Sequence, residues 1–202
     1  AVDKAESEPA LAAAINTHAP QVFGEEAVKL GAWVIHYSTD YVFDGTKSGH
    51  YTERDATNPQ SVYGRTKRDG ELALQQSGAQ HLILRTSWVV GAHGANFAKT
   101  MLRLAAERDS LNIVADQFGA PTSAALLADI TAHLVRQCQR EGKQTFPFGT
   151  YHLVASGETN WCDYARFVIG EASKAGKILK VSPEKIYPIT TDDYPLPAPR
   201  PA

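Results

Sequence analysis

Cysteines and long apolar runs are both scarce in this 202-residue sequence. Its two cysteines, Cys138 and Cys162, stand far apart and have neither CxxC nor Cys/His ligand spacing. We therefore expect neither a disulfide framework nor a zinc site. The first residues lack the apolar stretch of a signal peptide, and no run of about 18 apolar residues follows. These absences predict no membrane span, no export by that route and a location in the reducing cytoplasm.

The sequence also lacks an excess of charge of either sign. It has 20 basic and 22 acidic residues, which gives a formal net charge of −2. No basic field is available to hold a phosphate backbone, so we do not expect a nucleic acid as a partner. Hydrophobic residues make up 43% of the chain and charged residues 21%. This composition is typical of a folded globular protein and excludes collagen, coiled-coil and disordered chains.

The first part of the chain predicts a helix followed by a buried strand. Residues 8–30 are rich in alanine, which favours helix, and Pro20 predicts a break because proline is costly inside a helix. Gly31 is predicted to end the helix in a left-handed conformation. Residues 33–38 are apolar and β-prone, a pattern typical of a strand in a parallel sheet that is covered on both faces.

Helix and strand patterns continue to alternate after this point. Asn58 and Pro59 are a capping residue and a first-turn proline, so we predict a helix over 59–77. Residues 80–86 predict the next strand, and the proline-rich residues 194–201 predict an extended tail. The alternation predicts an α/β fold, a doubly wound parallel sheet of Rossmann type with a small α+β domain. Further helices are predicted over 96–108, 123–140 and 161–175, and further strands over 111–115, 150–155 and 185–190.

Tyr63 and Lys67 of the 59–77 helix form the first candidate catalytic pair. They lie four residues apart, so both side chains leave one helix face and can reach one ligand. A nearby cation favours the phenolate and lowers the pKa of a tyrosine toward the range that is useful at neutral pH. The spacing is common by chance, so a surface Tyr and Lys on one helix face remain an alternative.

Polar residues follow directly after the strand predicted over 33–38. Ser38, Thr39 and Asp40 come at its carboxyl end, the edge at which ligands bind in open α/β sheets. The Thr39 hydroxyl could there hydrogen-bond a carbonyl oxygen beside Tyr63. A purely local role for Ser38 and Thr39, in capping or turning the chain, remains open.

Three segments in this order carry a resemblance to an enzyme superfamily. They are STDYVFDG at 38–45, YGRTK at 63–67 and RTSWV at 85–89, and with them the chain resembles the extended short-chain dehydrogenases/reductases. Over essentially its whole length it is most similar to the dTDP-4-dehydrorhamnose reductases. That similarity rests on AVDKAE at 1–6, NFAKTM at 96–101 and DQFGAPT at 116–122.

The resemblance implies an activity and a set of site residues. It implies reduction of the C4 keto group of dTDP-4-dehydro-L-rhamnose to dTDP-L-rhamnose, the last step of dTDP-rhamnose biosynthesis, with NADPH or NADH. Tyr63 would be the proton donor to the C4 oxygen, Lys67 would bind the nicotinamide ribose and lower the pKa of Tyr63, and Thr39 would bind the reacting oxygen. Contacts with the dTDP-sugar substrate are implied for Thr39, Asp40, Trp88, Val2, Tyr41, Asn96 and Gln117.

The resemblance also implies parts that this sequence lacks. Such reductases begin with a strand and a GxxGxxG turn that holds the cofactor pyrophosphate at a helix N-terminus, and no such turn precedes Asp40. Arg200 and Pro201 match the start of a motif whose continuation is absent. We therefore expect a central fragment that by itself binds NADPH weakly or not at all. The expected domains are the remainder of a dinucleotide-binding domain over 1–90 and 123–145, and a nucleotide-sugar domain over 91–122 and 146–202.

Metal binding, assembly and alternative functions also follow from the resemblance. A subunit-bridging Mg²⁺ in some members depends on an acidic residue whose place Ala125 takes here, which argues against this metal; a homodimer remains open. The histidines do not cluster, so His36, His133 and His152 are expected to be structural.

One alternative function is a nucleotide-sugar epimerase or dehydratase, which would use the same Tyr/Lys pair but retain its NAD. The other is a non-catalytic subunit similar to the regulatory subunit of methionine adenosyltransferase.

Overall fold

The computed structural model describes residues 2–201; Ala1, the first residue of the AVDKAE segment, and Ala202 lie outside the described residues. The helices are α1 (Val2–Ser7), α2 (Pro9–Ala13), α3 (Ala19–Leu30), α4 (Val62–Gln76), α5 (Phe97–Glu107), α6 (Ala124–Glu141) and α7 (Trp161–Lys174). The strands are β1 (Trp33–Thr39), β2 (Gln80–Thr86), β3 (Val89–Val90), β4 (Leu111–Val114), β5 (Phe118–Gly119), β6 (Thr122–Ser123), β7 (Gly149–His152), β8 (Thr159–Asn160) and β9 (Ile186–Ile189). No helix within residues 2–201 is long and apolar enough to cross a membrane.

A parallel sheet in the order β1-β2-β7 forms the centre of the first of two compact units. Strands β1 and β2 pair in register, from Trp33 opposite Gln80 to Thr39 opposite Thr86. Alternate side chains of these strands enter different cores, because successive residues of a strand point to opposite faces. The core on one face contains Val34 and Ile83 with Ala27 of α3 and Leu74 of α4, and the core on the other contains Leu82 and Leu84 with Leu134 and Cys138 of α6. Helices thus cover both faces of a parallel sheet, and the predicted α/β fold class is confirmed.

The second unit has a core of its own. Helices α5 and α7 pack together there, and β4 pairs in parallel with β9 so that Leu111 lies opposite Ile186. Shorter ladders join β3 to β6 and β5 to β8. The core is made of buried apolar side chains from these helices and strands, namely Met101, Ala105, Leu111, Cys162, Ala165, Ile169, Val181 and Ile186.

The border between the two units differs from the expected domains. The first unit comprises Ala1–Ser87, Leu127–Val154 and Leu196–Ala202, and the second comprises Trp88–Leu126 and Ala155–Pro195. The sequence predicts that 146–202 as a whole belongs to the nucleotide-sugar domain. Residues 146–154 belong to the first unit because β7 pairs with β2 in the central sheet. The end of the chain belongs there too, because Arg200 forms an ion pair with Asp3 of α1 at 2.6 Å.

Most predicted elements are confirmed to within three residues, but two helix predictions need correction. The helix over 8–30 is not interrupted at Pro20: α2 continues through a π-helical segment, Ala14–His18, into α3. Pro20 follows this π-helical segment, in which the backbone hydrogen bonds shift to the i−5 pattern, as from the N–H of Ala19 to the carbonyl of Ala14. Gly31 ends α3 in the left-handed conformation, as predicted, with φ at 61°. Helix α1 was not predicted.

The helix that carries Tyr63 begins three residues later than predicted, at Val62. Ser61 is its N-cap, because the Ser61 hydroxyl oxygen accepts a hydrogen bond from the backbone N–H of Gly64 at 3.0 Å. Asn58, the predicted cap, instead donates from its amide to Asp44 at 2.8 Å. Its side chain therefore orders the preceding loop rather than the helix.

A close approach between α4 and the π-helical segment predicts opposite effects of alanine at two helical glycines. A Cβ added at Gly70 would collide with the carbonyl oxygen of Asn16. We expect Gly70→Ala to lower the free energy of unfolding of the complete protein by about 1–3 kcal/mol, the usual cost of overpacking. The measurement is urea unfolding.

Gly170→Ala in α7 is the matched control. A Cβ there would meet Pro183 at 3.6 Å, an ordinary contact. Alanine favours helix over glycine by about 1 kcal/mol, so we expect this variant to be as stable as the parent or more stable. Equal stability of the two alanine variants would contradict the close approach at Gly70.

Candidate active site

Helix α4 brings Tyr63 and Lys67 to the side of the sheet on which β1 ends. Its first turn is held by the Ser61 cap and by Glu6 of α1, whose carboxylate accepts a hydrogen bond from the backbone N–H of Val62 at 2.7 Å. One turn after Lys67, Glu71 is 2% exposed and pairs with Arg85 of β2 at 2.6 Å. The helix is thus fixed at both ends of the segment that carries the candidate pair.

Thr39 and Asp40 form a hydrogen-bonded turn at the carboxyl end of β1. The Thr39 hydroxyl donates to the Asp40 carboxylate at 3.0 Å and accepts from the backbone N–H of Tyr41 at 3.2 Å. Thr39 therefore caps the short 3₁₀ helix Asp40–Val42, which is the local role that the sequence left open. The same hydroxyl acts to lower the pKa of Tyr63, so it lies near the phenol as well as capping the turn.

Tyr63 is partly buried, and its burial favours the neutral form. Burial raises the pKa of Tyr63, and the nearby Thr39 hydroxyl offsets part of that rise. The ring packs edge-on against Tyr41, with ring centroids 5.4 Å apart and an angle of 83° between the planes. One side of Tyr63 lines an open cleft of about 250 Å³, together with residues of α1, α2 and the π-helical segment. The side chain is therefore within reach of a ligand.

Lys67 has two hydrogen-bonding partners on β1. Its ammonium donates to the backbone carbonyl of Tyr37 at 2.6 Å and lies 3.2 Å from Nε2 of His36. Burial lowers the pKa of Lys67, and the negative charge of Glu71 opposes this effect. Burial is the largest influence on the pKa of Tyr63 and raises it, and the lowering of that pKa by Lys67 stays a prediction.

Asp40 and Tyr41 share the same tendency toward the neutral form. Burial raises the pKa of Asp40 to about 6 and that of Tyr41 to about 12. The guanidinium of Arg200 acts in the opposite direction on Tyr41 and is held by Asp3 through hydrogen bonds at 2.6 and 2.8 Å. The sequence alone indicates no role in the site for Asp3 or Arg200. Val2, a predicted substrate contact, begins α1 beside Asp3 and is partly buried.

Two further predicted site residues, Trp88 and Gln117, lie together in the second unit. Trp88 has a left-handed backbone, with φ at 47°, and its ring stacks on Trp161 with centroids 3.4 Å apart. Gln117 is buried; its carbonyl accepts from the Trp161 indole at 3.2 Å, and its amide donates to Thr191 at 3.0 Å. Trp161 therefore links the two predicted residues. Trp161 was not itself predicted as a site residue, because its sequence context indicates only the start of a helix.

Asn96, the remaining predicted contact, has a structural role in the second unit. Its side-chain oxygen accepts from the backbone N–H of Lys99 at 3.1 Å, which makes Asn96 the N-cap of α5. Its amide donates to the carbonyl of Gly91 at 2.8 Å. Both ends of the side chain are thus engaged in the fold.

Groups that could hold a cofactor are present, whereas a metal-binding cluster is not found in the described part of the chain. Lys67 offers N–H donors to the hydroxyls of a ribose, and Tyr63 offers a phenol beside it on the same helix face. Among residues 2–201, no group of three or more His, Cys, Asp or Glu side chains could hold a metal ion.

Comparison with known proteins decides the family. A family model described as RmlD substrate binding domain matches residues 1–202. The chain belongs to this family. It is 54% identical over 201 residues to the dTDP-4-dehydrorhamnose reductase of Escherichia coli K12, with 100% of this chain and 66% of that protein covered. The resemblance stated from the motifs is thereby confirmed, and the chain spans about 66% of the length of this curated relative.

Solved structures of reductases give the same result. The dTDP-4-dehydrorhamnose reductase of Clostridium acetobutylicum has a TM-score of 0.87 at 37% identity and covers 100% of this chain, which covers 66% of that one. The reductase of Bacillus anthracis, solved in complex with NADP, has a TM-score of 0.85 at 34% identity, with 99% of this chain and 66% of that chain covered. These structures share the fold of the chain throughout its length.

The raised pKa of Asp40 predicts a pH-dependent stability. The folded state holds this proton more tightly than the unfolded state, so the free energy of unfolding should fall as the pH rises from about 4 to about 6. Asp40→Asn removes the charge, and we expect it to stabilise the complete protein at pH 7 by on the order of 1–2 kcal/mol. Urea unfolding across that pH range measures the difference.

Asp55→Asn is the control with the opposite sign. Hydrogen bonds from Lys47 and Thr52, at 2.6 Å each, lower the pKa of Asp55 to about 2. Its stabilising effect is present at pH 7 and is lost as the pH falls from about 4 to about 2, so Asp55→Asn should destabilise the protein at pH 7. A stability gain at pH 7 in both variants, or in neither, would argue against the burial of the Asp40 charge.

Proposed function

We propose that the complete protein reduces the C4 keto group of dTDP-4-dehydro-L-rhamnose to dTDP-L-rhamnose, with NADPH or NADH as the reductant. The observation that carries the proposal is the placement of Tyr63 and Lys67 on one face of α4, with the Tyr63 phenol beside the turn Thr39–Tyr41 at the carboxyl end of β1. The name of the relative that is 54% identical over the whole chain supports this substrate. The NADP in the related Bacillus anthracis structure supports the class of cofactor.

The first unit would hold the nicotinamide end of the cofactor through Lys67 and Tyr63. Reduced nicotinamide supplies a hydride when it is bound. The ammonium of Lys67 is a donor without acceptor capacity, which suits ribose hydroxyls. Its burial beside β1 limits its motion, so it can keep one orientation toward a ligand.

Tyr63 would act as the general acid of the reaction. A phenol whose pKa is raised by burial keeps its proton at neutral pH and gives it up only to a stronger base. The C4 oxygen becomes such a base as it gains negative charge, and the Tyr63 proton would then move to it. This assignment needs no phenolate in the resting protein.

Thr39 and Asp40 would position the keto sugar. A hydroxyl has one donor and two acceptor sites, so Thr39 can turn its proton from Asp40 to the C4 oxygen while it still accepts from the N–H of Tyr41. Asp40 would then be available to a sugar hydroxyl, and Tyr41 and Val2 would border the same ligand. We assign the dTDP-sugar contacts of the second unit to Trp88, Gln117 and Asn96, and the strained backbone of Trp88 supports this assignment.

Loss of NADPH absorbance on addition of dTDP-4-dehydro-L-rhamnose tests the proposed activity. We expect the complete protein to oxidise NADPH and to form dTDP-L-rhamnose in equal amounts. A nucleotide-sugar epimerase or dehydratase would leave free NADPH unconsumed because it retains its NAD. A non-catalytic subunit would give no product at all, and either result would overturn the proposal.

Tyr63→Phe tests the role of the phenol. We expect kcat to fall by about 10²-fold or more, the usual contribution of general acid catalysis, with little change in the binding of the sugar. Tyr187→Phe, at an exposed position of β9, is the matched control and should leave kcat unchanged. Near-normal turnover by the Tyr63 variant would remove this residue from the mechanism.

A further inference from the structure

His36 is the polar side chain of β1 nearest to the ammonium of Lys67. It precedes Ser38 by two residues, so both side chains lie on the same face of the sheet, the face that α4 covers. Tyr37 points to the other face, where its hydroxyl lies 2.5 Å from that of Thr131. Two consecutive residues of one strand therefore meet Lys67 in different ways, His36 through its ring and Tyr37 through its backbone carbonyl.

The chemistry of the two partners fixes the state of the His36 ring. An ammonium has three N–H donors and no acceptor, so Nε2 of His36, 3.2 Å away, must accept and cannot carry a proton. The imidazole is then neutral, with its proton on Nδ1. A pKa lowered to about 4 by burial, and further by the charge of Lys67, agrees with this state.

A count of donors shows what this contact does for Lys67. The carbonyl of Tyr37 takes one N–H at 2.6 Å and His36 takes a second, which leaves one of the three for a ligand. Two hydrogen bonds restrain the position and the rotation of the ammonium more tightly than one, so the third N–H keeps one direction. A lysine held by the carbonyl alone would have more freedom to move.

We propose that His36 is a positioning residue, whose neutral imidazole acts with the Tyr37 carbonyl to aim the remaining N–H of Lys67 at a hydroxyl of the cofactor ribose. This inference rests on the proposed function for the identity of the ligand. The contact between His36 and Lys67 is a feature of the chain itself and can be tested without turnover.

Charged groups on the neighbouring elements support this arrangement. Glu71 lies one turn after Lys67 on α4 and is the one acidic group that acts on the lysine pKa. Its carboxylate is taken by Arg85 of β2 through hydrogen bonds at 3.0 and 2.6 Å. Glu71 therefore does not compete with His36 and Tyr37 for the Lys67 N–H groups, and from β1 the lysine meets only those two.

Nitrogen-15 NMR of the histidine rings tests the contact directly in the complete protein. We expect His36, assigned by its absence in His36→Gln, to show the tautomer with Nε2 unprotonated and a pKa of about 4. Lys67→Met removes one of the two causes of the low pKa, so the pKa of His36 should rise in that variant. A proton on Nε2, or a pKa that Lys67→Met leaves unchanged, would overturn the proposal.

Steady-state kinetics tests the consequence for the cofactor. We expect His36→Leu to raise the KM for NADPH about tenfold, the effect of one lost hydrogen bond to a charged group, with a smaller change in kcat. His36→Gln should lie within about threefold of the parent, since its amide oxygen can take the place of Nε2. His133→Leu, at an exposed position of α6, is the control for loss of a histidine and should change neither constant.

A double-mutant cycle separates positioning from a general effect on the fold. If His36 acts through Lys67, His36→Leu should have no further effect on NADPH binding in a Lys67→Met background. An equal loss in both backgrounds, or a glutamine variant no better than leucine, would contradict the proposal. Failure of the parent protein to oxidise NADPH would overturn the proposed function instead, and the NMR result would still decide the role of His36.

Discussion

The buried ion pair between Glu71 and Arg85 is the interaction on which the candidate site depends. Tyr63, Lys67 and Glu71 follow one another at intervals of four residues, so they lie along one side of α4. Arg85 belongs to the central strand of the sheet and binds the Glu71 carboxylate with two nitrogens. A buried pair of this kind is costly to break, by about 3–5 kcal/mol when one partner is removed. It therefore fixes the position of α4, which carries the candidate pair, relative to the strands.

The same arginine also reaches the loop that follows the site. Its guanidinium lies over the ring of Phe43, 5.2 Å from the centroid, and Phe43 comes directly after the turn that Thr39 caps. One side chain thus connects α4, the central strand and the segment that carries Thr39 and Asp40. Contacts of the buried Arg85 guanidinium with Glu71 and Phe43 therefore help to hold the polar groups of the site in place, in addition to the contacts among those groups.

Burial is the common cause of the electrostatic properties of the site. It raises the pKa values of Asp40, Tyr41 and Tyr63 and lowers those of Lys67 and His36, so every one of these groups is shifted toward its neutral form. Such an environment favours a neutral tyrosine, which gives up its proton only to a strong base, and it disfavours a phenolate in the resting protein. The motif alone suggests the phenolate, because spacing brings a cation near the phenol but carries no information on burial.

Patterns of the sequence were sufficient for most of the fold. The alternation of apolar strands and helices identified β1 and β2 almost to the residue, since both strands are covered on their two faces and read as continuous apolar runs. The first residue of α4 could not be predicted as closely from the sequence. Asn58 and Ser61 are both good caps, and the choice between them depends on Asp44, which binds the Asn58 amide from fourteen residues away.

The border between the two units could not be predicted from the sequence for a similar reason. The strand predicted over 150–155 follows α6, but nothing local tells which sheet that strand joins. Its pairing with β2 is a long-range contact, and so is the ion pair that ties Arg200 to Asp3. The contact between His36 and Lys67 was hidden as well, because the two residues lie on separate elements and a histidine within an apolar strand is usually structural.

Trp88, in the second unit, has a left-handed backbone conformation that is unfavourable for a residue with a Cβ. A left-handed backbone costs a residue with a Cβ about 1–2 kcal/mol, and glycine would adopt it at no steric cost. The tryptophan is kept there by stacking on Trp161 and by a hydrogen bond from the N–H of Thr122 to its carbonyl. Gly119 has no Cβ, which leaves room for the ring. Because Trp161 and Gly119 border the ring and Thr122 holds the backbone, the orientation of the side chain is set before any ligand arrives, and the backbone strain is the cost of that preorganisation.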